Sequence, residues 1–354
     1  MVSALITLDS LKNRNTGLYF FAKSLGLALA KIVSKKESHI DLTFYINSES
    51  SSIFGSKVKI LKYSKLHQWY FSQSENFDIT HFTDQICRLP PHKLSGKKVL
   101  TIHDLNLLHE TGTLSRKGKS KLSKLAENIA QCDKIVAISK FVEDDINRYF
   151  PESKGKTQVI YNGADKLSVK EHYLPHDVPK NPFLFSIGEI LPKKNFHILP
   201  SLLHQNNYEI IIAGRENSKA YREKILKEAA LTPDRVRLLG PINDEDKAWY
   251  YANCAAFVFP SIAEGFGLPV IEAMHFGKPV FLSNLTALPE IGADAAYYFK
   301  SFDPNHMREV LKNGMTDYET NPQRKKTVIE RASYFTWERA AAQYLMLYEQ
   351  ILKE

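Results

Sequence analysis

Pro260-Ser-Ile-Ala-Glu-Gly-Phe-Gly-Leu-Pro-Val-Ile-Glu-Ala-Met274 holds two carboxylates, Glu264 and Glu272, with seven residues and a glycine-rich turn between them. Ahead of it, Ala255-Ala-Phe-Val-Phe259 is a short apolar run that reads as a buried strand. Behind the turn, Pro269-Val-Ile-Glu-Ala-Met-His-Phe276 reads as a helix, with Pro269 in its first turn and Gly277 just past its end. The order is strand, carboxylate, glycine turn, helix N-terminus, carboxylate. A helix N-terminus presents N–H groups and a partial positive charge, which suit a phosphate. Gly265 and Gly267 let the backbone approach a ligand. Glu264 and Glu272 can then accept hydrogen bonds from sugar hydroxyls on either side of that anion site. A nucleotide-sugar diphosphate has this combination of groups.

Working outward, the same alternation recurs. Strands are predicted over 4–8, 41–46, 57–61, 78–82, 98–102 and 134–138, with helices over 17–33, 119–132 and 140–150. After a lapse around 164–181, punctuated by Pro175 and Pro179, strands follow over 183–187, 208–213, 236–239, 256–259 and 279–282. Helices fall over 219–230, 244–252 and 269–276, and a long one over 335–352. This predicts an α/β protein of two doubly wound, Rossmann-like domains, 1–165 and 166–335, facing a central cleft. Ligands in such sheets bind at the carboxyl ends of the strands.

Other candidates also sit just after predicted strands. Gly188-Glu-Ile-Leu-Pro-Lys-Lys-Asn195 offers Lys193 and Lys194 to a diphosphate leaving group. His103 follows the strand over 98–102, and its neighbour Asp104 either orients the ring or caps the next helix. Thr16-Gly17 precedes the first long helix, as a ligand loop or as an ordinary turn. Ser139-Lys140 is a candidate cleft lining, and Asn162-Gly163 reads as a hinge more readily than as a ligand. Glu290 is either a loop acid of the site or a helix first-turn acid.

The 260–274 segment resembles the E-x7-E motif of the GT-B glycosyltransferases, in particular retaining family 4. Val236-Arg-Leu-Leu-Gly240, Gly277-Lys-Pro-Val280, Ser283-Asn284 and Leu288-Pro-Glu-Ile291 follow in that family's order and spacing. Upstream, Tyr161-Asn-Gly163, Ala137-Ile-Ser-Lys140, His103-Asp-Leu105 and Thr16-Gly17 extend the resemblance over nearly the whole chain. It implies that Glu264 contacts the donor sugar near the reacting carbon and that Glu272 holds the ribose diol. Phe266, Gly267 and Leu268 would present backbone N–H groups to sugar and diphosphate. His103 would approach the donor sugar, and the Gly17 loop would face diphosphate and acceptor. Lys194 matches a family lysine, whereas Glu189 stands where many relatives carry arginine. The last helix, about 336–354, would cross back onto the N-terminal domain. The implied activity is metal-independent retaining transfer of a hexose from a nucleotide-diphosphate sugar. Its acceptor would be a hydroxyl of a cell-envelope glycan or lipid-linked saccharide, of lipopolysaccharide or exopolysaccharide type. No cofactor beyond the nucleotide-sugar co-substrate is expected, and no metal. The rival readings are a GT-B epimerase or phosphorylase, and a non-catalytic basic binding protein.

Composition agrees with a globular chain. Of 354 residues, 44% are hydrophobic and 24% charged, and no apolar run approaches the ~20 residues of a membrane span. Cys87, Cys132 and Cys254 show no metal-ligand spacing, and their odd count without a disulfide framework points to the cytoplasm. Of the net +8, residues 1–165 carry all, with 24 Lys and Arg against 16 Asp and Glu. Residues 166–354 balance at 23 against 23. Five cations and no acid lie in 116–124. That patch suits an anionic membrane surface, at the inner face of the cytoplasmic membrane, or a phosphorylated acceptor; a solvated basic helix face explains it equally well. Nucleic acid is not expected, because no binding motif is present and aromatics do not interleave with the cations.

Overall fold

The computed structural model describes residues 1–12, 16–34, 39–47, 52–55, 58–109 and 115–354. Apolar runs such as Ala4-Leu-Ile6 and Ile210-Ile-Ile212, buried on both faces, form strands of two parallel sheets. The first sheet uses β1 (Val2–Thr7), β2 (Ile40–Ile46), β3 (Lys59–Lys62), β4 (Ile79–Phe82), β5 (Lys97–Ile102), β6 (Lys134–Ala137) and β7 (Thr157–Val159). The second uses β8 (Phe183–Ile187), β9 (Glu209–Ala213), β10 (Val236–Gly240), β11 (Ala256–Phe259), β12 (Val280–Ser283) and β13 (Ala296–Phe299). The spatial orders are β3-β2-β1-β4-β5-β6-β7 and β10-β9-β8-β11-β12-β13. Neighbours pair in parallel throughout the described strands. Each order reverses once, between β1 and β4 and between β8 and β11. Connections leave in opposite directions there and open a crevice at the strands' carboxyl ends.

The helices are α1 (Gly17–Val33), α2 (Arg116–Gln131), α3 (Lys140–Tyr149), α4 (Lys219–Ala229), α5 (Asp244–Asn253), α6 (Leu268–His275), α7 (Leu288–Gly292), α8 (Pro304–Thr320), α9 (Gln323–Ser333) and α10 (Trp337–Ile351). α2 begins at Arg116, earlier than its apolar pattern suggests, because Ser115 caps it through a 3.1 Å bond from Gly118 N to Ser115 Oγ. β7, β13, α8 and α9 have no counterpart in the sequence reading. Of the strand predicted over 57–61, Lys57 lies outside the described residues.

The chain divides into two compact units, Met1–Gly163 with Phe335–Glu354, and Ala164–Tyr334. These limits fall within two residues of 165/166 and 335/336. Within the first unit, α10 lays Ala340, Ala341, Tyr344, Leu347 and Tyr348 into the core formed with Phe21, Leu25, Ala28 and Leu29 of α1. A buried polar chain crosses the same packing. Tyr348 Oη meets His81 Nδ1 at 2.6 Å, His81 Nε2 meets Thr101 Oγ1 at 2.8 Å, and Thr101 Oγ1 meets Tyr344 Oη at 2.9 Å. Burial pushes the His81 imidazole down to about 3, so the ring is neutral and each nitrogen has a partner. The second unit's core joins Leu184, Ile210, Ile212, Val258 and Phe281 to Phe196, Leu199 and Ile225.

Candidate active site

β8 and β11 are the two strands at the reversal of the second sheet, and the loops leaving them carry Lys194 and Glu264. Lys194 Nζ lies 2.5 Å from Glu264 Oε1, and the two side chains are 12% and 13% exposed. The same carboxylate oxygen accepts from Ser261 Oγ at 2.6 Å, and Ser261 is fully buried. Lys194 Nζ also stands 4.8 Å from the Phe259 ring centroid, so the ammonium rests on an aromatic face as well as on a carboxylate. The two loops are stitched together by backbone: Ile262 N donates to Lys193 O at 2.8 Å. Lys193 is therefore fixed through its main chain. Gly188 gives the lysine its room, since a Cβ there would stand 3.0 Å from Lys194 Cε.

Glu264 is also held from β12's side. Its N–H donates to Thr286 Oγ1 at 3.0 Å, and Thr286 has a φ of +53°, costly for a β-branched residue. Such strain persists where surrounding structure enforces it, commonly at functional sites.

Glu272 lies in the middle of α6. Its Oε1 accepts from Lys247 Nζ at 2.5 Å and its Oε2 from Tyr251 Oη at 2.8 Å. Lys247 and Tyr251 are four apart on α5 and so share a face. Burial and the Glu272 charge drive the Tyr251 hydroxyl well above its ordinary value, so it stays a donor. Between the two carboxylates, Gly267 takes the N-cap of α6 with φ +108°, a conformation that excludes most side chains. No side chain caps this helix, and Pro269 supplies no N–H, so its first turn remains suited to an anion. Gly265 and Phe266 are buried in the turn and Leu268 opens the helix.

Glu189, next to Gly188, pairs with Arg215 Nη2 at 3.1 Å. Arg215 follows β9, so the counter-charge of this acid comes from the adjacent strand. Glu290 sits in the first turn of α7, whose last carbonyls accept from Arg331.

In the first unit, His103 follows β5 and is buried. Its Nε2 lies 2.8 Å from Thr83 O, an acceptor only, so Nε2 carries the proton and Nδ1 the lone pair. Its backbone N–H donates to Gln85 Oε1, and Phe21 stands edge-on at 4.5 Å. Burial holds the imidazole below its ordinary value, hence neutral. Asp104 Oδ1 accepts from Asn106 N at 3.1 Å, so it caps the next turn. Thr16 caps α1 through Tyr19 N at 3.2 Å, and a Cβ on Gly17 would meet nothing within 4 Å. Ser139 is fully buried and its Oγ caps α3, accepting from Val142 N at 3.2 Å. Asn162 is buried at the end of the unit.

Sequence reasoning passed over Ser261, Thr286, Lys247, Tyr251 and Arg215. Only the i, i+4 spacing of Lys247 and Tyr251 offered a signal. Cys132 and Cys254 are buried free thiols and Cys87 is half-buried and free. Among the described residues, no group of three or more His, Cys, Asp or Glu is placed to hold a metal ion. No helix among them is long and apolar enough to cross a membrane.

The family model described as glycosyl transferases group 1 matches residues 175–333, and that of glycosyltransferase family 4 matches 53–166. The serotype-specific mannosyltransferase WbdA of Escherichia coli is 28% identical over 287 residues, 74% of this chain and 34% of WbdA. The chain thus spans about a third of that relative. The O-antigen chain mannosyltransferase B of Escherichia coli is 26% identical over 289 residues, 73% of this chain and 71% of the relative. Among solved structures, Anabaena Alr3699/HepE in complex with UDP and glucose superposes with a TM-score of 0.71 at 17% identity, covering 99% of this chain and all of that one.

Proposed function

Because the chain belongs to the group 1 glycosyltransferases of the family 4, GT-B type, we propose that it is a retaining hexosyltransferase. It moves a hexose from a nucleotide-diphosphate sugar to a hydroxyl of a cell-envelope glycan or lipid-linked saccharide. The observation that carries this reading is the Lys194–Glu264 pair at the reversal of the second sheet. The E. coli relatives' names make a mannosyl donor the first to test.

In this reading the diphosphate takes the first turn of α6 and draws Lys194 toward its developing charge. Fixed cations and N–H dipoles stabilise a leaving group without a metal. Glu264 then turns from Lys194 to a sugar hydroxyl near the reacting carbon. Glu272 takes the ribose diol, exchanging part of its bonding with Lys247 and Tyr251. Lys193, Gly188 and the turn Gly265–Leu268 complete the donor side. Gly17 and Ser139 are assigned to the donor as well, and His103 to the reacting sugar, with Nδ1 of His103 as the accepting nitrogen. The carbon–oxygen bond to phosphate breaks as the acceptor oxygen attacks from the same face. The acceptor proton passes to the departing phosphate oxygen. Glu264 and Lys194, both intact and paired, speak against a binding protein without chemistry.

The five exposed cations of α2 are read as docking the first unit on an anionic surface, at the inner face of the cytoplasmic membrane. A thermal-shift and turnover screen of GDP-, UDP- and ADP-hexoses tests the core of the reading. One nucleotide should stabilise the protein, and its sugar should appear on an envelope-glycan acceptor with retained anomeric configuration. No stabilisation by any nucleoside diphosphate would refute it.

A further inference from the structure

We propose that the turn at 64–70 of the first unit is an apolar anchor, in which Leu66, Trp69 and Tyr70 enter the headgroup region of an anionic bilayer. These side chains are 68%, 72% and 74% exposed, within five residues of one another. The other two tryptophans, Trp249 and Trp337, are half-buried and buried.

The exposure is built, because the inner side of the turn is fixed at several points. Tyr45 Oη meets His67 Nδ1 at 2.9 Å. Phe71, itself buried, packs edge-on against the rings of both Tyr45 and His67. Lys93 Nζ donates to Gln68 O at 3.1 Å and to Trp69 O at 3.0 Å. Ser64 Oγ accepts from Leu66 N at 3.3 Å. With His67 and Phe71 turned inward and held, Leu66, Trp69 and Tyr70 are left outward on a stiff short helix (Lys65–Gln68) and the residues after it.

Charge chooses the occupant. Residues 51–74 contain no Asp or Glu, and Lys62, Lys65 and Lys93 are exposed about the turn. Trp and Tyr prefer the membrane–water interface, leucine prefers the acyl boundary, and lysines gain near anionic lipid. A soluble glycan could stack on the aromatic pair but has no use for Leu66 or for the absence of acids. The turn follows β3, at the carboxyl end of the first sheet, the end at which β5 delivers His103. An anchor there would bring the lipid-linked end of an acceptor to the side of the sheet that carries the site. The inference adds a second surface to the docking read for α2, and it depends neither on that helix nor on the donor site.

The test uses the full chain and vesicles of phosphatidylglycerol and phosphatidylcholine. Tryptophan emission should shift to the blue on binding and be quenched by lipids brominated near the top of the acyl chain. Trp69→Phe should abolish the quenching while leaving partitioning nearly unchanged, because phenylalanine still anchors. Leu66→Ser with Trp69→Ser and Tyr70→Ser should lower partitioning roughly tenfold even at high salt, with the melting temperature and turnover on a water-soluble acceptor unchanged. Charge removal on α2 should leave the quenching in bound protein intact. Absence of quenching in vesicle-bound protein, or the same blue shift produced by a soluble oligosaccharide without lipid, would overturn the proposal. Loss of transferase activity has no bearing on either readout.

Discussion

Lys194 Nζ and Glu264 Oε1 stand 2.5 Å apart in nearly complete burial, so each is the other's principal counter-charge. Removing one partner leaves an uncompensated charge in a poorly solvated place, which costs more than the pair contributes. Glu264→Ala and Lys194→Ala should each lower kcat by about 10²-fold or more. Each should also lower stability in urea. The double variant should be more stable than the sum of the single losses predicts. Steady-state kinetics and equilibrium unfolding on the four proteins check this, and near-native kcat in both single variants would make the motif structural.

Glu272 stands apart from that pair, held by Lys247 and Tyr251. Glu272→Ala should weaken nucleoside-diphosphate binding by about 1–3 kcal/mol, the range for charge-assisted bonds, with a smaller effect on kcat. Calorimetric titration gives the Kd. An unchanged Kd would remove Glu272 from the nucleotide site.

Nucleotide binding should survive excess chelator, because the charges assigned to the diphosphate are those of Lys194 and the α6 N-terminus. Titrations with and without EDTA should superpose. Binding that disappears with EDTA and returns with magnesium would require a bound metal.

The cations of α2 should act by electrostatics alone. Arg116, Lys117, Lys119 and Lys121 changed to Gln should lower flotation with anionic vesicles, and the difference should shrink as salt shortens the Debye length. Equal partitioning of both proteins at all salt concentrations would leave α2 as a solvated face.

Acid should destabilise the protein earlier than its carboxylates require. His81 is pushed to about 3 by burial between Tyr348, Thr101 and Tyr344, against an ordinary 6.5. His103 is depressed by the same cause. The unfolded chain therefore binds more protons below 6.5, and the neutral rings' contribution is fully present above that pH and is lost progressively as pH falls through and below it. The urea midpoint should fall as pH is lowered from about 7.5 to about 5.5, with proton uptake on unfolding. A flat profile would contradict the burial of neutral imidazoles.

The strands were legible because a parallel sheet buries both faces, so Ile210–Ala213 and Ala256–Phe259 stand out as unbroken apolar runs. β7, only Thr157–Val159, and β13, with Tyr297 and Tyr298 half-buried, offer too few apolar positions. α8 buries only Met307, Leu311 and Gly314, a stripe too thin to mark a period. In the candidate site, Glu264 and Lys194 could be read because each lies in a strand–loop segment that matches the family's motifs. Their companions could not. Ser261 is a small polar residue of the same loop with nothing to distinguish it, and Thr286, Tyr251 and Arg215 reach their partners from other elements. Ser139 and Asp104 illustrate a different limit: the oxygens that suit them to ligands also suit them to helix and turn caps, which is how both are used.

The return of α10 to the first unit inverts the order in which the chain can mature during synthesis. Residues 164–334 form a unit contiguous in sequence and can close as soon as they emerge. Residues 1–163 cannot, since the face of α1 that packs on Tyr344 and Tyr348 waits for residues 335–354 to be translated. Until then residues 1–163 carry an uncovered apolar face, while residues 164–334 can already be folded. Such a surface is where a ribosome-associated chaperone would engage. Removing residues 335–354 would therefore damage the unit whose other residues, 1–163, lie farthest from them in sequence.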